Sequence, residues 1–158
     1  EGTGDLLALR GDMCFPIEVK SSKKPKLYLS GRTVLQYQAL EEIGIRCSIQ
    51  PFYAYRLKGV RGDSWRIFRV KTEGLTGKLR LFARTVPELP LTRNGTPYLD
   101  WEKGLPLHKF LSLISKSENA NNIQPSPSLK KTNFSVIDTN MDQYESSSER
   151  IASSLSNS

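Results

Sequence analysis

Two short apolar runs open the chain, Gly4-Asp5-Leu6-Leu7-Ala8-Leu9 and Met13-Cys14-Phe15-Pro16-Ile17-Glu18-Val19-Lys20, parted by Arg10-Gly11-Asp12. Such runs on either side of a glycine-led two-residue turn predict a β-hairpin. A basic loop, Ser21 to Lys26, follows. Leu35, Ala39, Leu40 and Ile43 then recur at helical spacing, in a helix with Ser30 at its N-cap and Gly44 as its stop. Phe52 to Leu57 predicts a strand, Arg61-Gly62-Asp63 a turn, and Trp65 to Val70 a partly exposed strand that alternates large apolar with basic residues. The expected order is β-β-α-β-β. Between Lys71 and Pro97 proline and glycine interrupt the pattern, and Leu79 to Arg84 is the plausible strand. Pro106 then opens a helix whose Leu107, Phe110, Leu111 and Ile114 form one apolar face, to be packed on the sheet or on another subunit.

Composition divides the chain. Its 158 residues suffice for one core. From Lys116 onward Ser, Asn, Gln and isolated charges dominate, and such sequence cannot bury enough apolar area to offset its ordering entropy. The expected organisation is a core over 1–70, an extension with a closing helix over 71–115, and a disordered tail over 116–158. No apolar run approaches the ~18 residues of a membrane span, so a soluble, cytoplasmic protein without a membrane partner is expected.

Charge narrows the partners. The chain has 23 Lys+Arg against 16 Asp+Glu, a net charge of +7. The tail is slightly acidic, so the positive charge concentrates on residues 1–115, which suggests a polyanionic partner. Cys14 and Cys47 lack the paired spacing of zinc or redox sites, and the sole histidine, His108, has no histidine or cysteine nearby. Any catalysis is expected to run on carboxylates and amines.

The hairpin register brings such groups together. With Gly11 and Asp12 as turn residues, cross-strand partners have numbers summing to 23, and Asp5 lies opposite Glu18. Like charges directly opposed are destabilising unless compensated, and a divalent cation is the simplest compensation. Lys20, two residues after Glu18, projects from the same face. Magnesium takes oxygen ligands and is commonly held by one or two carboxylates together with substrate phosphate oxygens, so the cluster suits phosphodiester hydrolysis. As a bare pattern, an aspartate followed at variable distance by acid-x-lysine is common by chance; its meaning comes from the register and from the basic loop that follows.

Gly4 to Leu9, Ile17-Glu18-Val19-Lys20-Ser21 and Lys26-Leu27-Tyr28-Leu29-Ser30 together resemble the archaeal Holliday junction resolvases of the Hjc type, within the PD-(D/E)xK nuclease superfamily, over about residues 3–70. The resemblance implies an α/β fold with a restriction-endonuclease-like mixed β-sheet flanked by helices. It further implies a homodimer and Mg²⁺-dependent incision of four-way DNA junctions in recombination and repair, with Mn²⁺ able to substitute. Asp5 and Glu18 would be metal ligands, the Val19 carbonyl would join the metal shell, and Lys20 would complete the catalytic set. These resolvases carry another catalytic glutamate on a helix before the aspartate strand. That position would precede Glu1, so either a segment upstream of Glu1 is missing or the chain is a catalytically degenerate DNA-binding relative. Action in the cytoplasm at the nucleoid is the corresponding expectation.

Further residues are candidates for substrate contact. Gln36 falls inside the apolar arc of the predicted helix, where an amide needs a polar partner; some nucleases of the superfamily use a glutamine there to position the site, which favours Gln36 over Gln38. Lys23, Lys24, Lys26 and Arg32 crowd after the cluster and could neutralise phosphates beside the scissile bond. Arg56, Lys58, Arg61, Arg66 and Arg69 add charge on an undetermined face. Tyr53, Tyr55, Trp65 and Phe68 are expected in a core or dimer interface rather than as base-stacking platforms, and Trp101 and His108 in packing or cap positions.

Overall fold

A computed structural model describes residues 5–10, 13–119 and 135–138. The hairpin forms in the expected register: β1 (Leu6–Arg10) and β2 (Met13–Ser22) are antiparallel, from Leu6 opposite Ile17 to Arg10 opposite Met13, so every pair sums to 23. Gly11 and Asp12, the expected turn residues, lie outside the described residues. β3 (Lys26–Tyr28) leaves the main sheet, and α1 (Arg32–Cys47) returns the chain so that β4 (Phe52–Leu57) runs parallel to β2. β5 (Trp65–Arg69) pairs antiparallel with β4.

The expected strand at Leu79 to Arg84 is instead part of helix α2 (Gly77–Thr85). Its Lys, Leu, Arg and Ala residues favour helix, and no β-branched residue interrupts them before Thr85. β6 (Tyr98–Asp100) pairs antiparallel with β3 in a separate two-stranded ribbon. After a single 3₁₀ turn, Trp101–Lys103, β7 (Leu105–Pro106) joins β5, and α3 (Leu107–Asn119) closes the described fold. Of the expected tail, β8 (Ser135–Asp138) pairs with β1; its other residues beyond Asn119 lie outside the described set. The mixed sheet has the order β7-β5-β4-β2-β1-β8.

Strand alternation divides the interior into two apolar layers. One face carries Ala8, Phe15, Phe52, Ala54 and Ile67, covered by Phe110 and Ile114 of α3; Phe110 meets Phe52 edge to face at 5.1 Å. Residues 71–115 therefore complete the same core as residues 5–70. The opposite face carries Tyr53, Tyr55, Phe68 and Val70, covered by Tyr37 and Leu40 of α1 and by Leu29, Leu89 and Leu99.

Three details of α1 differ from expectation. Gly31, at φ 52°, takes the N-cap position, and Ser30 is held from inside the helix by the Thr33 hydroxyl, which accepts a hydrogen bond from the Ser30 N–H at 2.8 Å. Gly44 does not stop the helix, which runs on to Cys47 with Ser48 in the left-handed region. Gly44 is needed for close approach instead: a Cβ there would stand 2.5 Å from Thr72 Cγ2, 3.0 Å from Pro51 Cδ and 3.2 Å from the Ile49 carbonyl oxygen. The apolar arc is also rotated: Tyr37, Leu40 and Gly44 are buried, whereas Leu35 is 63% exposed.

Candidate active site

Parity places Glu18 and Lys20 of β2 on the α1 side of the sheet, next to Tyr53 and Tyr55, their direct partners on β4. Extending the β1–β2 register by one residue sets Asp5 across from Glu18, and the Asp5 carboxylate accepts a hydrogen bond from the Val19 N–H at 2.9 Å. Val19 is thereby drawn in through its backbone, while its side chain belongs to the α3 face.

The three predicted side chains of β2 and α1 form one chain of contacts. The Lys20 ammonium donates to Glu18 Oε1 at 2.7 Å and to Gln36 Oε1 at 3.0 Å. Gln36 is thus the amide that reaches the site, and Gln38 is exposed. α1 delivers it because Gln36 immediately precedes the buried Tyr37, which packs beside Tyr53, the β4 partner of Glu18.

Glu18 is 4% exposed, and burial raises its carboxyl above the ordinary value. The Lys20 hydrogen bond and charge pull the other way, and the neighbouring Asp5 charge adds to the rise. Sequence reasoning placed Tyr53 in the core and missed its polar end. The Tyr53 hydroxyl is buried without a hydrogen-bond partner among the described residues, and burial together with the charges of Glu18 and Asp5 pushes its pKa up. Pairing of Tyr53 with Glu18 across β2 and β4 was the available signal, hidden because the parallel partner of β2 is not readable from local sequence.

The donor set suits a hard divalent cation in type: two carboxylates on one face and an orphaned hydroxyl beside them. Among the described residues no group of three or more His, Cys, Asp or Glu side chains comes together to hold a metal ion. Any such ion would rely on Asp5, Glu18, a backbone oxygen and water or substrate.

The basic candidates separate. Lys23, Lys24 and Arg32 are exposed. Lys26 is exposed too, but its ammonium lies 3.8 Å from the buried Asp100 carboxylate. The Tyr55 hydroxyl donates to the Lys24 carbonyl, anchoring the loop after β2. Arg66 pairs with Asp63 at 3.0 Å and stacks on Trp101, and Arg69 pairs with Glu88 at 2.9 Å, so both serve the fold; Arg56, Lys58 and Arg61 are exposed. Tyr53, Tyr55 and Phe68 are buried core residues, and Trp65 packs at the edge of the α3 layer. Trp101 donates to the Ser64 carbonyl at 2.9 Å, and His108 is exposed at the start of α3. Gln50, not singled out in the sequence, is fully buried and structural: its amide donates to the Pro51 and Val70 carbonyls and accepts from Thr72.

Among the described residues no helix is long and apolar enough to cross a membrane. No family model matches the chain, and no curated protein matches it.

Proposed function

We propose that the chain is the core of a metal-dependent endodeoxyribonuclease acting on branched DNA, built on a restriction-endonuclease-like sheet and working as a homodimer. One observation carries this reading: Lys20 bridges the buried Glu18 and Gln36 on the sheet face that also receives Asp5. Asp5 and Glu18, with the Val19 carbonyl, would hold Mg²⁺ or Mn²⁺. The ion when bound would polarise the phosphoryl oxygen and acidify water. Lys20, kept in place by Gln36, stabilises charge developing on the phosphate. The Tyr53 hydroxyl, buried beside Glu18, would donate to an oxygen atom brought against Glu18 when the ion is bound. Lys23, Lys24 and Arg32 neutralise flanking phosphates. Leu35, exposed on α1, is an apolar position open to a second copy.

Purified protein should nick a synthetic four-way junction only with Mg²⁺ or Mn²⁺, and Glu18→Ala and Lys20→Ala should each lower the rate by about 100-fold or more. Full cutting by Glu18→Ala overturns the assignment. A second reading, a catalytically degenerate DNA-binding module of the same fold, is favoured by the meeting of only two acidic side chains among the described residues. Salt-dependent junction binding without cutting by the full-length protein in Mg²⁺ and Mn²⁺ selects it.

A further inference from the structure

The ribbon of β3 and β6 presents a surface that hydrolysis does not use. Strand alternation turns Leu27 and Leu99 inward, while Lys26, Tyr28, Tyr98 and Asp100 share the other face. There Tyr28 and Tyr98 are direct cross-strand partners, with ring centroids 5.1 Å apart and planes inclined by 27°. Even so, Tyr28 stays 54% exposed. Cations surround the pair: Lys103 Nζ lies 5.9 Å from the Tyr98 ring centroid, and the buried Asp100 carboxylate draws both Lys26, at 3.8 Å, and Lys103, at 4.0 Å. The ribbon is firmly seated, since Leu99 is fully buried and the Trp101 N–H donates to the Pro25 carbonyl at 2.8 Å.

We infer that this ribbon is a stacking platform for an unstacked base of the DNA substrate, with Tyr28 meeting the open base face and Lys26 and Lys103 the adjoining phosphates. The inference rests on the nuclease reading and adds to it the feature of branched DNA that is recognised. Inside a continuous duplex both faces of each base are covered by its neighbours, so an exposed tyrosine finds nothing to stack on. At a branch point or frayed end a base face is free. Lysine contacts to phosphate favour any DNA and weaken with salt, whereas aromatic stacking acts only where a base is open. The two together provide affinity for DNA in general and preference for branches in particular. Tyr28 lies ten residues after Glu18, and the Tyr55 hydroxyl anchors the intervening loop at the Lys24 carbonyl.

The test uses the full chain in EDTA, where no cutting interferes, with 2-aminopurine placed either at the branch point of a four-way junction or inside a continuous duplex. Wild-type protein should change the branch-point fluorescence and leave the duplex probe unaltered. Tyr28→Ala and Tyr28→Leu should abolish that change and lower junction affinity by about tenfold while sparing duplex affinity, and Tyr28→Phe should retain both. Lys26→Ala should weaken junction and duplex alike and lower the salt slope by about one. Retention of the fluorescence change and the junction preference by Tyr28→Ala and Tyr28→Leu overturns the inference. So does a shift in self-association, measured by light scattering, that leaves the DNA signal intact, because the platform would then serve a second copy. Absence of cutting once Mg²⁺ or Mn²⁺ is added, with the branch-point signal preserved, counts against the nuclease reading alone.

Discussion

Glu18 is held almost wholly out of water, with one carboxylate oxygen on Lys20 and another acid across the hairpin. Because burial raises its pKa, folding favours its protonated form. Its contribution to stability is therefore full below the ordinary carboxylate pKa and is lost as pH rises through the raised value. Glu18→Gln removes the titration, so its melting temperature relative to wild type should rise as the pH climbs above the ordinary carboxylate range, as followed by scanning calorimetry. A difference that stays flat or falls with pH rejects this account. The convergence of Asp5, Glu18 and Lys20 was legible because an antiparallel register assigns every side chain to a face. The depth of Glu18 and the stranded hydroxyl of Tyr53 were not, since both depend on α1 lying over the sheet.

Among the elements, α1 gives the sharpest test. Gly44 looks like a helix stop in sequence, yet it lies inside the helix against Thr72, Pro51 and the Ile49 carbonyl. Thr72 cannot swing aside freely, because its hydroxyl donates to buried Gln50. Gly44→Ala would raise helix propensity by about 1 kcal/mol, but the crowding should outweigh it and leave the protein about 1–3 kcal/mol less stable in urea unfolding. A stabilised variant would show that the packing around Gly44 gives way. Gly104 marks a similar approach at β7, where a Cβ would stand 2.5 Å from Arg66 Cβ and 2.8 Å from the Phe68 ring. The segment 79–84 resembles a strand in sequence because Leu-Arg-Leu-Phe-Ala-Arg satisfies both a two-residue and a helical repeat, and its place beside α3 favours the helix. The pairing of β3 with β6 joins segments about 70 residues apart, beyond the reach of any local pattern.

In the molecule as a whole, two apolar layers share one sheet, so they should unfold together. Trp65 packs on the α3 layer and Trp101 on the α1 layer, giving each its own reporter. In Trp65→Phe and Trp101→Phe variants, fluorescence of the remaining tryptophan should follow the same urea transition as far-UV circular dichroism of that variant. Separate midpoints would mean that the α1 layer and the α3 layer come apart independently of one another. Local pattern was enough for the hairpin and its register, the helix that follows, the strands over 52–57 and 65–69, and the closing helix, because period, turn residues and face alternation act over a few neighbours. The parallel place of β4 beside β2, the meeting of Tyr53 with Glu18 and the open tyrosine pair on the ribbon emerge from long-range packing. Those outcomes depend on which distant segments bury one another, a choice made by the packing of the entire chain.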